Sequence, residues 1–92
     1  MSDTEAVRIS SVKYVGDYKL RIRWMNGKTM PVDLQEPIFR VKGMSPLRIK
    51  EVFAEADKGD RGHSIVWPGK IDMGADRLWE MTLEQAGRMD AV

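Results

Sequence analysis

The stretch Lys19-Leu20-Arg21-Ile22-Arg23-Trp24, running into Met25-Asn26-Gly27, narrows the folds open to this chain more than any other. Apolar and charged residues alternate strictly over six positions. Leu20, Ile22 and Trp24 therefore share one face, and Lys19, Arg21 and Arg23 the other. A strand buried on one side and wet on the other is the habit of antiparallel sheets. Asn26-Gly27 suits the positive φ angles of a two-residue type I′ hairpin. Residues 28–34 then supply the return strand, with Met30, Val32 and Leu34 on one side. Pro31 has no N–H to give to a ladder, which predicts an edge strand or a bulge at that point.

Around this hairpin the remaining elements read more coarsely. Residues 7–15 are rich in β-branched side chains and stop at Gly16-Asp17, a turn signal. Residues 35–44, with Pro37 and Gly43, read as a connection that buries Ile38 and Phe39. Ser45-Pro46 has the chemistry of an N-cap followed by N1. Ile49, Val52, Phe53 and Ala56 then form a helical stripe that can lie on the sheet, ended by Gly59 or Gly62. Residues 64–67 make a short apolar strand stopped by Pro68. Asp72 is expected to cap a turn or short helix carrying Leu78 and Trp79, and Thr82-x-x-Gln85 to form a capping box for a last short helix. The expected fold is α+β: a small antiparallel sheet in β-β-β-α-β-α order with one main helix packed on it. Residues 1–6 are expected to be disordered and 7–92 to form a single domain.

Composition limits the chemistry. A chain of 92 residues has room for one core and little for a deep substrate cavity. Fifteen basic side chains stand against 14 acidic ones, so no global field points to nucleic acid, and such a role needs a local patch. Cysteine is absent, which removes disulfides, thiolate catalysis and cysteine zinc sites. The start Met1-Ser2-Asp3-Thr4-Glu5 has no basic or apolar leader pattern, and no run approaches the roughly 20 apolar residues of a membrane span. The expectation is a cytoplasmic protein with no membrane partner.

No constellation for catalysis survives inspection. His63 is the one histidine and lacks the companions of a metal or general-base site. Asp72, Asp76 and Glu80 fall at i, i+4, i+8, but capping by Asp72 and screening by Arg77 explain them better than a cation site. Asp57 to Gly62 fails the spacing of a calcium loop, and no glycine cluster opens a helix as a phosphate loop requires. Neither an enzyme nor a cofactor or metal is expected. Lys19, Arg21, Arg23 and Lys28 form a candidate nucleic-acid face, with Tyr14 or Tyr18 as neighbouring aromatics. A solvated strand face is the simpler account of that row.

One pattern spans most of the chain. Ile65-Val66-Trp67-Pro68, then Asp72, then Leu78-Trp79, resembles the small bacterial family called domain of unknown function 2442. Gly27, Val32-Asp33-Leu34, Gly43, Leu47 and Phe53-Ala54 are similar to its upstream landmarks. Gly69, Lys70, Ala75 and Trp79 depart from the residues the family favours at those places. The resemblance implies a small α+β domain in its stand-alone form, without the helix-turn-helix extension of other members. It also implies a partner protein, as for the antitoxin-like half of a two-gene pair. Trp67, Pro68, Asp72, Leu78 and Trp79 are its signature, with structural roles expected for them. The function expected is a non-enzymatic protein-interaction module, its partner another protein or a second copy in a homodimer. Contact is expected at the Pro31 edge and through exposed members of the seven methionines. The alternative is a nucleic-acid-binding or transcription-regulatory accessory domain.

Overall fold

The structure, a computed structural model, describes residues 8–90, with side chains described through Gly87. The N-terminal stretch expected to be disordered lies outside the described residues. The fold is α+β. Strands β1 (Ile9–Gly16), β2 (Lys19–Trp24) and β3 (Thr29–Asp33) form one antiparallel sheet in the order 1-2-3. After α1 (Gln35–Arg40), a 3₁₀ stretch (Lys42–Arg48) and the single turn α2 (Lys50–Phe53) come β4 (Asp57–Lys58), β5 (Ser64–Trp67) and β6 (Ile71–Gly74). These three form a second antiparallel sheet in the order 4-5-6, and α3 (Ala75–Asp90) closes the chain.

The alternation in β2 is realised in full: Leu20, Ile22 and Trp24 are buried, and Lys19, Arg21 and Arg23 are exposed. The turns, however, exchange roles. Asp17 and Tyr18 both have positive φ between the paired residues Gly16 and Lys19, as a two-residue type I′ turn requires. Asn26-Gly27 instead belongs to a three-residue loop. The Gly27 amide donates to the Trp24 carbonyl at 3.0 Å, the Trp24 amide donates to the Lys28 carbonyl at 2.8 Å, and only Gly27 takes positive φ. A tyrosine at φ 63° is strained. Tyr18 is held there by burial, by ring contacts with Phe39 and Phe53, and by its hydroxyl, which donates to the Arg48 carbonyl.

The long helix is not where the apolar stripe at Ile49–Ala56 puts it. Ser45-Pro46 lies inside the 3₁₀ stretch, α2 is one turn long, and Ile49 is 56% exposed. Residues 57–58 pair as β4 where that helix was expected to be ending. The main helix is α3, whose face Ala75, Leu78 and Thr82 is buried. Thr82 is no cap. Its hydroxyl donates to the Leu78 carbonyl at 2.7 Å, satisfying a buried polar group within its own helix. Asp72 is no cap either: it sits in β6, paired with Val66. Phe39, expected inside, is 48% exposed.

One core joins the sheets. Phe53 stacks on Trp67 at 5.9 Å between ring centres and meets Tyr14 and Tyr18 edge-on at 5.7 and 5.6 Å. The Trp67 indole N–H donates to the Phe53 carbonyl at 3.0 Å, fixing ring and backbone together. Trp24 lies edge-on to Trp79 at 4.9 Å, and its buried indole nitrogen has no hydrogen-bond partner among the described residues. Gly62, at φ +77°, packs on the backbone of Ile9, where a Cβ would come within 2.2 Å of the Ile9 carbonyl oxygen. Truncating Phe53 to Ala is expected to cost about 3–5 kcal/mol. Urea denaturation checks this, and a midpoint matching wild type would contradict the assignment.

Candidate interaction surfaces

The first surface is the outer face of the β1-β2-β3 sheet. Cross-strand pairing sets Lys13 directly opposite Arg21, Ser11 opposite Arg23, and Lys19 opposite Asp33. Lys13, Lys19, Arg21 and Arg23 are all exposed, and Asp33 is the one acid in these three strands. No ion pair is formed by these four cations among the described residues. Like charges directly opposed across two strands destabilise a sheet, so the Lys13–Arg21 pair is a local cost to the fold. Sequence reading missed Lys13 because its place beside Arg21 depends on the β1 register.

Other residues proposed for this face lie elsewhere. Lys28 closes the hairpin loop opposite Trp24, its amide donating to the Asn26 side-chain oxygen at 3.0 Å. Tyr14 is paired with Leu20 on the inner face, and Tyr18 is buried. The basic face therefore carries no aromatic ring from these two residues.

The β3 edge is partly occupied. Its outward-pointing backbone groups belong to Thr29, Pro31 and Asp33, because residues 28 and 34 bond inward to β2 and its flanking turn. Pro31 offers no N–H. The Gln85 side chain takes the Asp33 position, accepting from its amide at 2.8 Å and donating to its carbonyl at 2.9 Å. One side-chain amide thus mimics a neighbouring strand at Asp33, at one end of the edge on which strand addition is expected.

The signature residues are divided between the core and the surface. Trp67 and Leu78 are buried, Trp79 is half-buried against Trp24, and Pro68 opens the loop Pro68-Gly69-Lys70 between the paired residues Trp67 and Ile71. Gly69 and Lys70 both take positive φ there. Asp72 is exposed in β6, whereas Asp76 and Glu80 are on α3, so the three carboxylates do not share one helix. No group of three or more His, Cys, Asp or Glu side chains able to hold a metal ion occurs among the described residues. His63 is exposed, and its carbonyl accepts from the Ala75 amide at the start of α3. An open groove lies between β3, α1 and α3, lined by side chains of both signs, among them Lys19, Glu36, Arg40 and Glu80. No helix of the described residues is long and apolar enough to cross a membrane.

Residues 9–82, from the first strand to the buried Thr82 of α3, match the family described as protein of unknown function (DUF2442). The chain belongs to this family. The fold is similar to the crystal structure of a proposed DNA-binding protein from Nitrosomonas europaea ATCC 19718, with a TM-score of 0.79 and 25% identity. The match covers 87% of this chain and 51% of that one, so the present chain spans about half the length of its structural relative. No curated protein matches. For this member of the family, Gln85→Ala is expected to lower stability by about 1–3 kcal/mol, because it strips two hydrogen bonds from a strand edge. Asp72→Ala is expected to stay within about 0.5 kcal/mol of wild type, as an exposed side chain outside any cap. Chemical denaturation of both variants checks the pair; the reverse ranking would restore a structural role to Asp72.

Proposed function

We propose that this domain is a non-enzymatic binding module whose outer β1-β2-β3 face contacts the phosphate backbone of nucleic acid. The observation that carries the reading is the unshielded Lys13–Arg21 pair, flanked by Lys19 and Arg23. A fold that accepts repulsion between opposed cations breaks a local rule of sheet stability, and such breaks concentrate where a ligand supplies the missing charge. Along β2 the three cations recur every second residue, about 6.8 Å apart, and so span about 14 Å. One strand of a B-form duplex presents about four phosphates over that axial rise. With Tyr14 and Tyr18 turned inward, no stacking platform from these residues accompanies the cations. Contact with the backbone of a duplex, independent of base sequence, fits such a face better than single-strand binding. The likeness to about half of a proposed DNA-binding protein is compatible with the same reading.

The test separates binding from stability. Fluorescence anisotropy with a short labelled duplex is expected to show log K falling with log salt concentration with a slope of about −3 to −4, for four neutralised phosphates. Arg21→Glu is expected to weaken binding and to reduce the slope by at least about 1. It should also raise stability by about 0.2–1 kcal/mol, since it turns a like-charge pair into an attractive one. Lys28→Ala, outside the face, should leave the slope unchanged. A slope indifferent to Arg21→Glu would refute the proposal.

A further inference from the structure

A second surface, built by the chain between α1 and α2, uses none of the sheet-face residues. From Pro37 to Lys50 the sequence contains no Asp or Glu. Phe39, Val41 and Ile49 are 48%, 39% and 56% exposed, three of the six large apolar side chains exposed among the described residues. Lys42, Arg48 and Lys50 adjoin them along the chain, while Arg40 lines the groove towards α3. We infer that this surface is a docking site for an acidic segment of a partner protein, anchored by its own apolar side chains.

The surface is held in place before any partner arrives. The Arg48 guanidinium donates to the Ile38 carbonyl at 3.0 Å and the Phe39 carbonyl at 3.2 Å, and lies 5.5 Å over the Phe39 ring. The Tyr18 ring meets Phe39 edge-on at 5.2 Å, and the Tyr18 hydroxyl bonds the Arg48 backbone. Strained Tyr18 is thereby the post to which the exposed Phe39 is tied. A rigid, half-exposed aromatic beside an arginine has the composition of an interface hot spot, and it loses little conformational freedom on binding.

Charge and shape choose the occupant. Lys42 and Arg48 form no ion pair among the described residues, Lys50 pairs with Asp17 at 3.4 Å, and Glu36 and Glu51 flank the stretch at its two ends. An acidic partner therefore meets complementary charge. A second copy docked by two-fold symmetry would set this cationic patch against itself, which disfavours a homodimer here. A nucleic-acid base would need an open aromatic face. Phe39 has Arg48 over its ring, and Val41 and Ile49 are aliphatic, so apolar protein side chains fit the surface better.

A random twelve-residue peptide library displayed on phage, selected against the intact protein, tests this. The expected result is enrichment of peptides with net negative charge and apolar residues. Their binding should weaken at least tenfold for Ile49→Ser and for Lys42→Glu, and be unchanged for Arg21→Glu. Ile49 is exposed, so Ile49→Ser keeps the test valid if a Phe39→Ser protein fails to fold. Loss of peptide binding in Arg21→Glu would move the contact to the sheet face and overturn the inference. So would enrichment without acidic bias, no enrichment over the Ile49→Ser protein, or capture of phosphatidylserine vesicles in place of peptides.

Discussion

The ring of Phe53 touches both sheets at once, and the arrangement of the rest follows from that contact. On one side it meets Tyr14 of β1 and Tyr18 of the first hairpin; on the other it stacks on Trp67 of β5, whose indole bonds the Phe53 backbone. A single turn of helix is enough to carry it. The inner faces of both sheets are thus drawn to one aromatic cluster, with Leu20, Ile22, Ile65 and Met73 packed around it. What remains of the first sheet is its outer face, where the polar half of the β2 alternation has to lie.

The same closure accounts for the sheet edge. Antiparallel edges invite unplanned pairing, and short strands, proline and covering helices are ways of preventing it. Here Pro31 removes one donor from the β3 edge, and Gln85 of α3 occupies the backbone groups of Asp33. Side-chain surfaces are further places where interaction can occur. Two such surfaces stand out, one cationic and flat on the sheet, the other cationic and apolar between α1 and α2. They share no residue, and their chemistries differ: one suits a row of phosphates, the other an acidic chain with apolar anchors.

The parts of this fold legible in the sequence are those governed by local periodicity. β2 reads correctly because six alternating residues leave no other face assignment, and Pro31 marks an edge because a missing N–H has only a few tolerable places. Errors arose where two local signals compete. Ile49, Val52, Phe53 and Ala56 have helical spacing, yet only Phe53 is fully buried, because the tie from Trp67 to its carbonyl sets the path of the chain. Asp72 and Thr82 have capping chemistry, but tertiary pairing puts Asp72 in a strand and Thr82 inside a helix. The type I′ turn at Asp17-Tyr18 carries no glycine, and it is stable through contacts of Tyr18 that are remote in sequence. The candidate sites were half visible for the same reason. Lys19, Arg21 and Arg23 follow from β2 alone, whereas Lys13 needs the β1 register, and the exposure of Phe39 and Ile49 needs the whole connection in place.

The claim that the outer sheet face is the nucleic-acid surface is tested most directly by mapping contact residue by residue. Amide spectra of isotopically labelled protein, recorded while a short duplex is titrated at low salt, give such a map. The account predicts shifts concentrated at Lys13, Lys19, Arg21 and Arg23 and their strand neighbours, with residues 64–74 of the second sheet unmoved. Shifts confined to the second sheet or to α3, with the amides of β2 unchanged, would contradict it.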